Sequence, residues 1–217
     1  EQGYLPEAIC NYLALLGWSP GDDVENISMK ELTELFTVEK VHSSPARFDM
    51  KKLEAINGDK IRALSVEDFA KLTIPFLKKA AIIEGTDAEI ALVKQALPLI
   101  QERIVKLDEA PQLLKFLFVK EFAIDSDAVS KVNDESAKSI LKRAQSELEQ
   151  LSTWNHEAIE AALRTSLIEE MGLKPRIAFT ALRIATTGST ISPPLFESME
   201  LLGKQACLAR ISLALSL

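Results

Sequence analysis

The sequence predicts an all-α chain, on three observations. Aromatic residues make up only 6% of 217, while long stretches are rich in Ala, Leu, Glu and Lys, the strong helix formers. Apolar residues recur at the helical three- and four-residue spacing in most segments. Strand-like alternation never persists beyond a few residues.

Each element has its own signal. "LPEAICNYLALLGWSPGDD" predicts a helix with Pro6 in its first turn and Gly17 at its end, burying Ile9, Tyr12, Leu13 and Leu16. Ser28 caps the short helix "SMKELTELF". "SSPARFDMKKLEAINGDKIRAL" reads as turn, helix, turn, helix, with Asn57-Gly58 as a left-handed cap between the two helices. Ser65, with Asp68 three residues on, opens "SVEDFAKLTIPFLKKAAI". Thr86 and Asp87 precede "AEIALVKQALPLIQERIVKL", in which Pro98 kinks or splits the helix. Arg103 and Lys106 then lie one turn apart on the helix beyond that proline. "EAPQLLKFLF" gives a short helix with Pro111 early. "DESAKSILKRAQSELEQLSTW" is amphipathic, with Ile140, Leu141, Ala144, Leu148 and Leu151 on the apolar side. "NHEAIEAALRTSLIEEMGL" opens at Asn155 and stops near Gly172. "PRIAFTALRIATTGST" leads into a loop, and "PPLFESMELLG" and "KQACLARISLALSL" are the last two helices. No repeat of fixed period is present.

Composition excludes several classes. The chain is 47% hydrophobic and 26% charged, an ordinary soluble balance. No apolar run approaches the ~20 residues that span a bilayer, and the first residues lack a signal peptide's basic start. A cytoplasmic protein is expected, with Cys10 and Cys207 as buried free thiols. The start at Glu1 rather than Met reads as a fragment or an engineered domain. The net charge of −7 means that any nucleic-acid contact must rest on a local basic patch.

Catalytic chemistry is not visible. There is no G-x-G-x-x-G and no Walker A sequence. His42 and His156 read as surface residues, and with two distant cysteines no metal-ligand spacing exists. "GDDVEN" lacks the alternating ligands of a calcium loop and reads as a solvated turn. Ser43-Ser44 and Ser189-Thr190 have no histidine nearby in sequence. No catalytic residue, metal or cofactor is assigned to these residues.

Three stretches combine cations with turn chemistry. The first holds Ser43, Ser44, Arg47, Lys51, Lys52, Asn57, Lys60 and Arg62, which suits phosphate contacts or a solvated basic helix. In the second, Arg103 either reads a base through its guanidinium fork or pairs with Glu102 or Asp108. In the third, Lys174, Arg176 and Arg183 precede "TTGSTISPPLF". There the backbone around Ser192, Pro193 and Leu195 suits an unstacked base, with the prolines and Leu195 as apolar walls.

The stretches "GYLPEAICNYLALLGWS", "SSPARFDMKKLEAINGDKIR", "ERIVKLDEAPQLLKFLF" and "LRIATTGSTISPPLFESMELLGK" together resemble the C-terminal half of bacterial glutamyl-tRNA synthetases, closest in the last stretch to actinobacterial members. The resemblance runs from near residue 3 to at least residue 210. That family's catalytic half carries HIGH and KMSKS signatures that bind ATP with Mg²⁺, and neither signature occurs here. The resemblance implies a stem-contact domain (residues 1–66) and two helical anticodon-binding domains (67–120 and 121–217). It implies a monomer whose partner is tRNA-Glu.

By position, the resemblance places Arg103 at an arginine that reads the third anticodon letter, and Arg183 at one that contacts anticodon bases. Ser192, Pro193 and Leu195 fall in the loop that closes on the second and third letters. Arg47, Lys51 and Lys52 fall in the segment that touches the inner corner of the tRNA. The competing reading is a helical protein-interaction scaffold with no RNA partner.

Overall fold

The computed structural model describes residues 2–21, 24–42 and 47–217. Asp22 and Asp23 of the acidic turn, and Ser43 and Ser44, lie outside the described residues. All regular structure among the described residues is helical. In chain order the α-helices are α1 (Pro6–Leu15), α2 (Met29–Leu35), α3 (Met50–Arg62), α4 (Val66–Lys79), α5 (Asp87–Ala96) and α6 (Pro98–Gln101). They continue with α7 (Ala110–Leu114), α8 (Glu135–Gln150), α9 (His156–Leu163), α10 (Pro175–Thr187), α11 (Leu195–Leu202) and α12 (Lys204–Leu215).

Helix starts follow local chemistry. Ser28 and Thr86 each form a capping box, with Glu31 and Glu89 respectively. Ser65 accepts from the Asp68 amide and Asn155 from the Ala158 amide. Pro6 and Pro175 occupy first-turn positions, where the missing N–H costs nothing. Pro98 splits its helix: α5 ends at Ala96 and α6 begins at Pro98. α9 runs on into a π-helical stretch, Arg164–Glu170, before Gly172.

Packing divides the chain into two compact units, Glu1–Gly85 with Ile100–Pro111, and Thr86–Leu99 with Gln112–Leu217. These divisions differ from positions 66 and 120. Within the first unit, for example, the Gln101 amide donates across position 66 to the Ile61 and Leu64 carbonyls, each at 2.9 Å.

In the first unit α1 packs on α3 and α4 lies against the 3₁₀ turn Leu107–Glu109. Two expectations fail here. The buried face of α1 holds Ala8, Asn11 and Tyr12, whereas Ile9 and Leu13 are exposed, and so is Cys10. The face follows Asn11, whose amide side chain pairs with the Ile27 N–H at 2.8 Å and the Glu25 carbonyl at 3.0 Å. Long-range polar pairing therefore overrides the apolar period.

Asn57-Gly58 does not end a helix either, because α3 runs through both. Asn57 is fully buried, accepts the Leu5 N–H at 2.8 Å and donates to the Val105 carbonyl at 2.5 Å. Gly58 gives the room: a Cβ there would sit 3.2 Å from Val105 Cγ1.

The second unit is a helical bundle whose core draws on α8 to α12 and the π-helical stretch. Ile140, Leu141, Ala144 and Leu148 are buried on α8 as its period predicts, with Leu151 partly buried beside them. Cys207 is in this core, where burial pushes its thiol up to about 12.

Candidate nucleic-acid interface

In the second unit, α10 ends at Gly188 in the left-handed conformation, its N–H bonded to the Ile184 carbonyl at 2.9 Å. The Gly188 carbonyl accepts from the Asp125 amide at 2.8 Å. A Cβ at Gly188 would lie 2.7 Å from the Ala123 carbonyl oxygen, so only glycine fits this close approach.

The loop beyond it is fixed by Arg183. Its Nη1 donates to the Pro193 carbonyl at 2.7 Å, to the Ser192 carbonyl at 3.4 Å and to the Ser192 hydroxyl. The Ser192 hydroxyl in turn donates to the Pro193 carbonyl at 2.9 Å. Ser192, Pro193 and Leu195 are buried, while Ile191 at the tip is 74% exposed. Arg183, Ser192 and Pro193 are thus brought into contact, and Leu195 opens α11 beside them. Ile191 is the apolar face the loop shows to solvent. Its one sequence signal is an isoleucine among hydroxyls.

Two further ties steady this region. Arg210 on α12 is 8% exposed and donates to the Thr186 carbonyl at 2.7 Å and the Phe116 carbonyl at 2.8 Å. Its guanidinium carbon lies 4.2 Å from the Phe122 ring centroid. At the other end of the loop, Trp154 Nε1 donates to the Met199 carbonyl at 3.1 Å. The Glu200 carboxylate accepts from the His156 amide at 3.0 Å and meets its Nδ1 at 2.7 Å. The Glu200 hydrogen bond raises the His156 pKa, and the same contact lowers that of Glu200. Half-exposed and engaged in this way, His156 serves as a helix tie.

In the first unit, Arg103 is exposed in the turn after α6 rather than on a helix, its N–H bonded to the Ile100 carbonyl at 2.9 Å. α6 is only one turn long, and the chain leaves it as Gln101 is pulled to the end of α3. Lys106 lies 3.9 Å from Asp108.

Arg47 and Lys52 line one shallow cleft of about 310 Å³ with Tyr12 and Asp49. Asp49 caps α3 through the Lys51 and Lys52 amides, and Lys52 is paired with Glu25 at 2.7 Å. Lys60 turns inward to the Ile27 carbonyl at 2.7 Å, and burial lowers its pKa. Arg62 pairs with Asp59 at 2.5 Å. Among the described residues, Arg47 and Lys51 make no ion pair. Sequence reasoning missed the exposed Ile191, and it missed Gln101 and Arg210, whose partners lie far away in the chain.

The second unit is thus an all-helical domain presenting an arginine-pinned loop, and comparison with known proteins gives it a family. Residues 68–215 match the family described as "Anticodon binding domain", and the chain belongs to that family. Residues 1–55 match the family described as "tRNA synthetases class I (E and Q), catalytic domain".

The relatives are glutamate–tRNA ligases. That of Saccharopolyspora erythraea is 45% identical over 214 residues, covering 97% of this chain and 42% of that protein. That of Acidothermus cellulolyticus is 47% identical over 215 residues, covering 97% and 43%. A crystal structure of a glutamate tRNA ligase from Elizabethkingia meningosepticum, in complex with its amino acid, superposes with a TM-score of 0.82 at 27% identity. It covers 99% of this chain and 41% of its own. The chain therefore spans less than half the length of these relatives.

Proposed function

We propose that this chain is the tRNA-reading part of a glutamate–tRNA ligase, a class I enzyme that joins glutamate to tRNA-Glu using ATP. The carrying observation is the anticodon-binding family match over residues 68–215, with the Arg183-pinned loop inside it. The scaffold alternative is not favoured by that match.

On this reading residues 1–66 contact the tRNA stem, and residues 67–120 and 121–217 read the anticodon. Arg47, Lys51 and Lys52 supply the stem contact. Ser192, Pro193 and Leu195, held by Arg183, shape the loop against the second and third letters. Arg103 tests the third letter. We assign ATP and Mg²⁺ to other parts of the parent enzyme. The described residues hold no cluster of His, Cys, Asp or Glu suited to a metal, and the sequence has no phosphate-cradling glycine loop. No helix among the described residues is long and apolar enough to cross a membrane. From the ligase reading itself we propose a cytoplasmic, monomeric parent enzyme.

The test is a titration of the chain with tRNA-Glu and tRNA-Gln transcripts at two salt concentrations. Salt-dependent binding that favours tRNA-Glu is expected, and absence of binding to either overturns the reading.

A sharper result is expected from Arg103→Gln in the parent enzyme. The two anticodons differ at the third letter, cytosine against guanine. A guanidinium is donor-only, so it satisfies the cytosine carbonyl but faces guanine's amino group without an acceptor. An unsatisfied polar contact costs about 1–3 kcal/mol. The substitution is therefore expected to narrow the charging preference for tRNA-Glu by about tenfold or more. An equal loss on both tRNAs would reduce Arg103 to a phosphate contact.

A further inference from the structure

One cleft of the second unit has no part in the loop contacts. It measures about 320 Å³ and lies between the first turns of α8 and α10. Lys131 and Arg176 line it, with the Ser136 hydroxyl beside them and Ile140 and Ala181 among its apolar lining; the Thr180 hydroxyl, also on this wall, donates to the Arg176 carbonyl at 2.6 Å.

Arg176 stands apart from its neighbours. The unit holds five arginines, Arg143, Arg164, Arg176, Arg183 and Arg210. Arg143 pairs with Glu147 and Glu170, and Arg164 with Glu160. Arg183 and Arg210 are spent on backbone carbonyls. The Arg176 guanidinium has no ion-pair or hydrogen-bond partner among the described residues, and neither has the Lys131 ammonium. Both side chains are exposed. The one acid lining the cleft, Asp134, accepts the Ala137 N–H at 2.9 Å as the cap of α8. Its carboxylate is thus engaged with the backbone, and the two cations outnumber it.

Position links the cleft to the loop. Arg176, Thr180 and Arg183 fall at i, i+4 and i+7, on one face of α10. Seven residues of helix span roughly 10 Å. A strand engaged near Arg183 and running along that face passes Arg176. Two cations without protein partners among the described residues, beside the Ser136 hydroxyl, suit a doubly coordinated anionic oxygen.

We infer that this cleft takes a backbone phosphate of the same tRNA whose anticodon meets the residue 189–195 loop. Lys131 and Arg176 hold the phosphate charge, and the apolar lining lies against the adjoining ribose. The inference rests on the tRNA-reading function proposed above. It adds a contact that fixes the register of the strand and reads no base.

The test uses the full-length ligase and tRNA-Glu transcript, with binding measured across a salt series. Arg176→Gln and Lys131→Gln are each expected to weaken binding about fivefold at low salt. Each is also expected to flatten the slope of log K against log salt by part of the roughly 0.7 that one single-strand phosphate contributes, and the double variant by the whole of it. Arg176→Lys is expected to keep the slope, and Lys142→Gln, an exposed lysine outside the cleft, to change it less. A synthetic anticodon stem–loop with one neutral methylphosphonate at a time then locates the phosphate. At one position the wild type is expected to lose more than at any other, and the double variant of Arg176→Gln with Lys131→Gln to lose nothing more. Unchanged affinity and slope in both Gln variants, or losses independent of methylphosphonate position, overturn the inference and leave the function intact. Failure of the wild-type ligase to bind tRNA overturns both.

Discussion

Arg210→Met is expected to lower the stability of the second unit by about 3 kcal/mol. Arg210 is buried with no carboxylate of the described residues beside it, and burial lowers its pKa. Its charge is met by two carbonyls, Thr186 in the last turn of α10 and Phe116 in the 3₁₀ turn Lys115–Leu117, and by the Phe122 ring. The Thr186 carbonyl belongs to the helix end that lacks intrahelical donors, where a cation is also favoured by the helix dipole. Methionine fills similar volume but donates nothing, so two buried carbonyls lose their partners at about 1–3 kcal/mol each. The contact over Phe122 is lost as well, worth about 1–2 kcal/mol when desolvated. Against this, the variant no longer buries an ion, and that offset keeps the net near the lower end. Urea unfolding monitored by circular dichroism measures it. A change below about 1 kcal/mol would show that solvent already satisfies these carbonyls. Arg210→Lys recovers little, because an ammonium cannot present the same planar fork to two separated acceptors.

The same residue shows why the fold was more legible than the site. Ser28, Ser65, Thr86 and Asn155 act within three residues of themselves, so their caps can be read directly in sequence. The apolar period of α8 was legible for the same reason, since its whole buried face lies in sixteen consecutive residues. Asn57-Gly58 was misread because its partners, Leu5 and Val105, lie about fifty residues away on either side. Asn11 misdirected α1 in the same manner, by pairing with the turn at residues 25–27. At the loop, the sequence supplied Arg183, Ser192 and Pro193 but not their connection. The expectation was backbone groups facing outward to a base, whereas the Ser192 and Pro193 carbonyls accept from Arg183. Arg210 and Gln101 carried no sequence signal, since their partners are carbonyls, which every residue has.

Arg183→Met in the parent ligase is expected to weaken tRNA-Glu binding about a hundredfold, with a smaller loss of stability. The guanidinium joins α10 to the segment that turns into α11, through the Ser192 hydroxyl and the Ser192 and Pro193 carbonyls. Hydrogen bonds to a charged donor contribute about 1.5–3 kcal/mol each. Their loss loosens residues 189–194 between Gly188 at one end and Pro194 at the other, so that the segment samples other backbone conformations. Binding must then restore the loop, and a cost of about 3 kcal/mol appears as two decades of affinity. Unfolding registers less of it, because the tip of the loop at Ile191 is already in solvent. Ser192→Ala removes the hydroxyl that joins Arg183 and the Pro193 carbonyl but leaves Arg183 its two carbonyls, so a loss of about tenfold or less is expected. Filter binding with tRNA-Glu, beside the melting temperature of each variant, separates the two effects. A fall in melting temperature with affinity unchanged would make Arg183 a structural tie alone. The hundredfold loss with the melting temperature nearly kept would tie the shape of this loop to recognition.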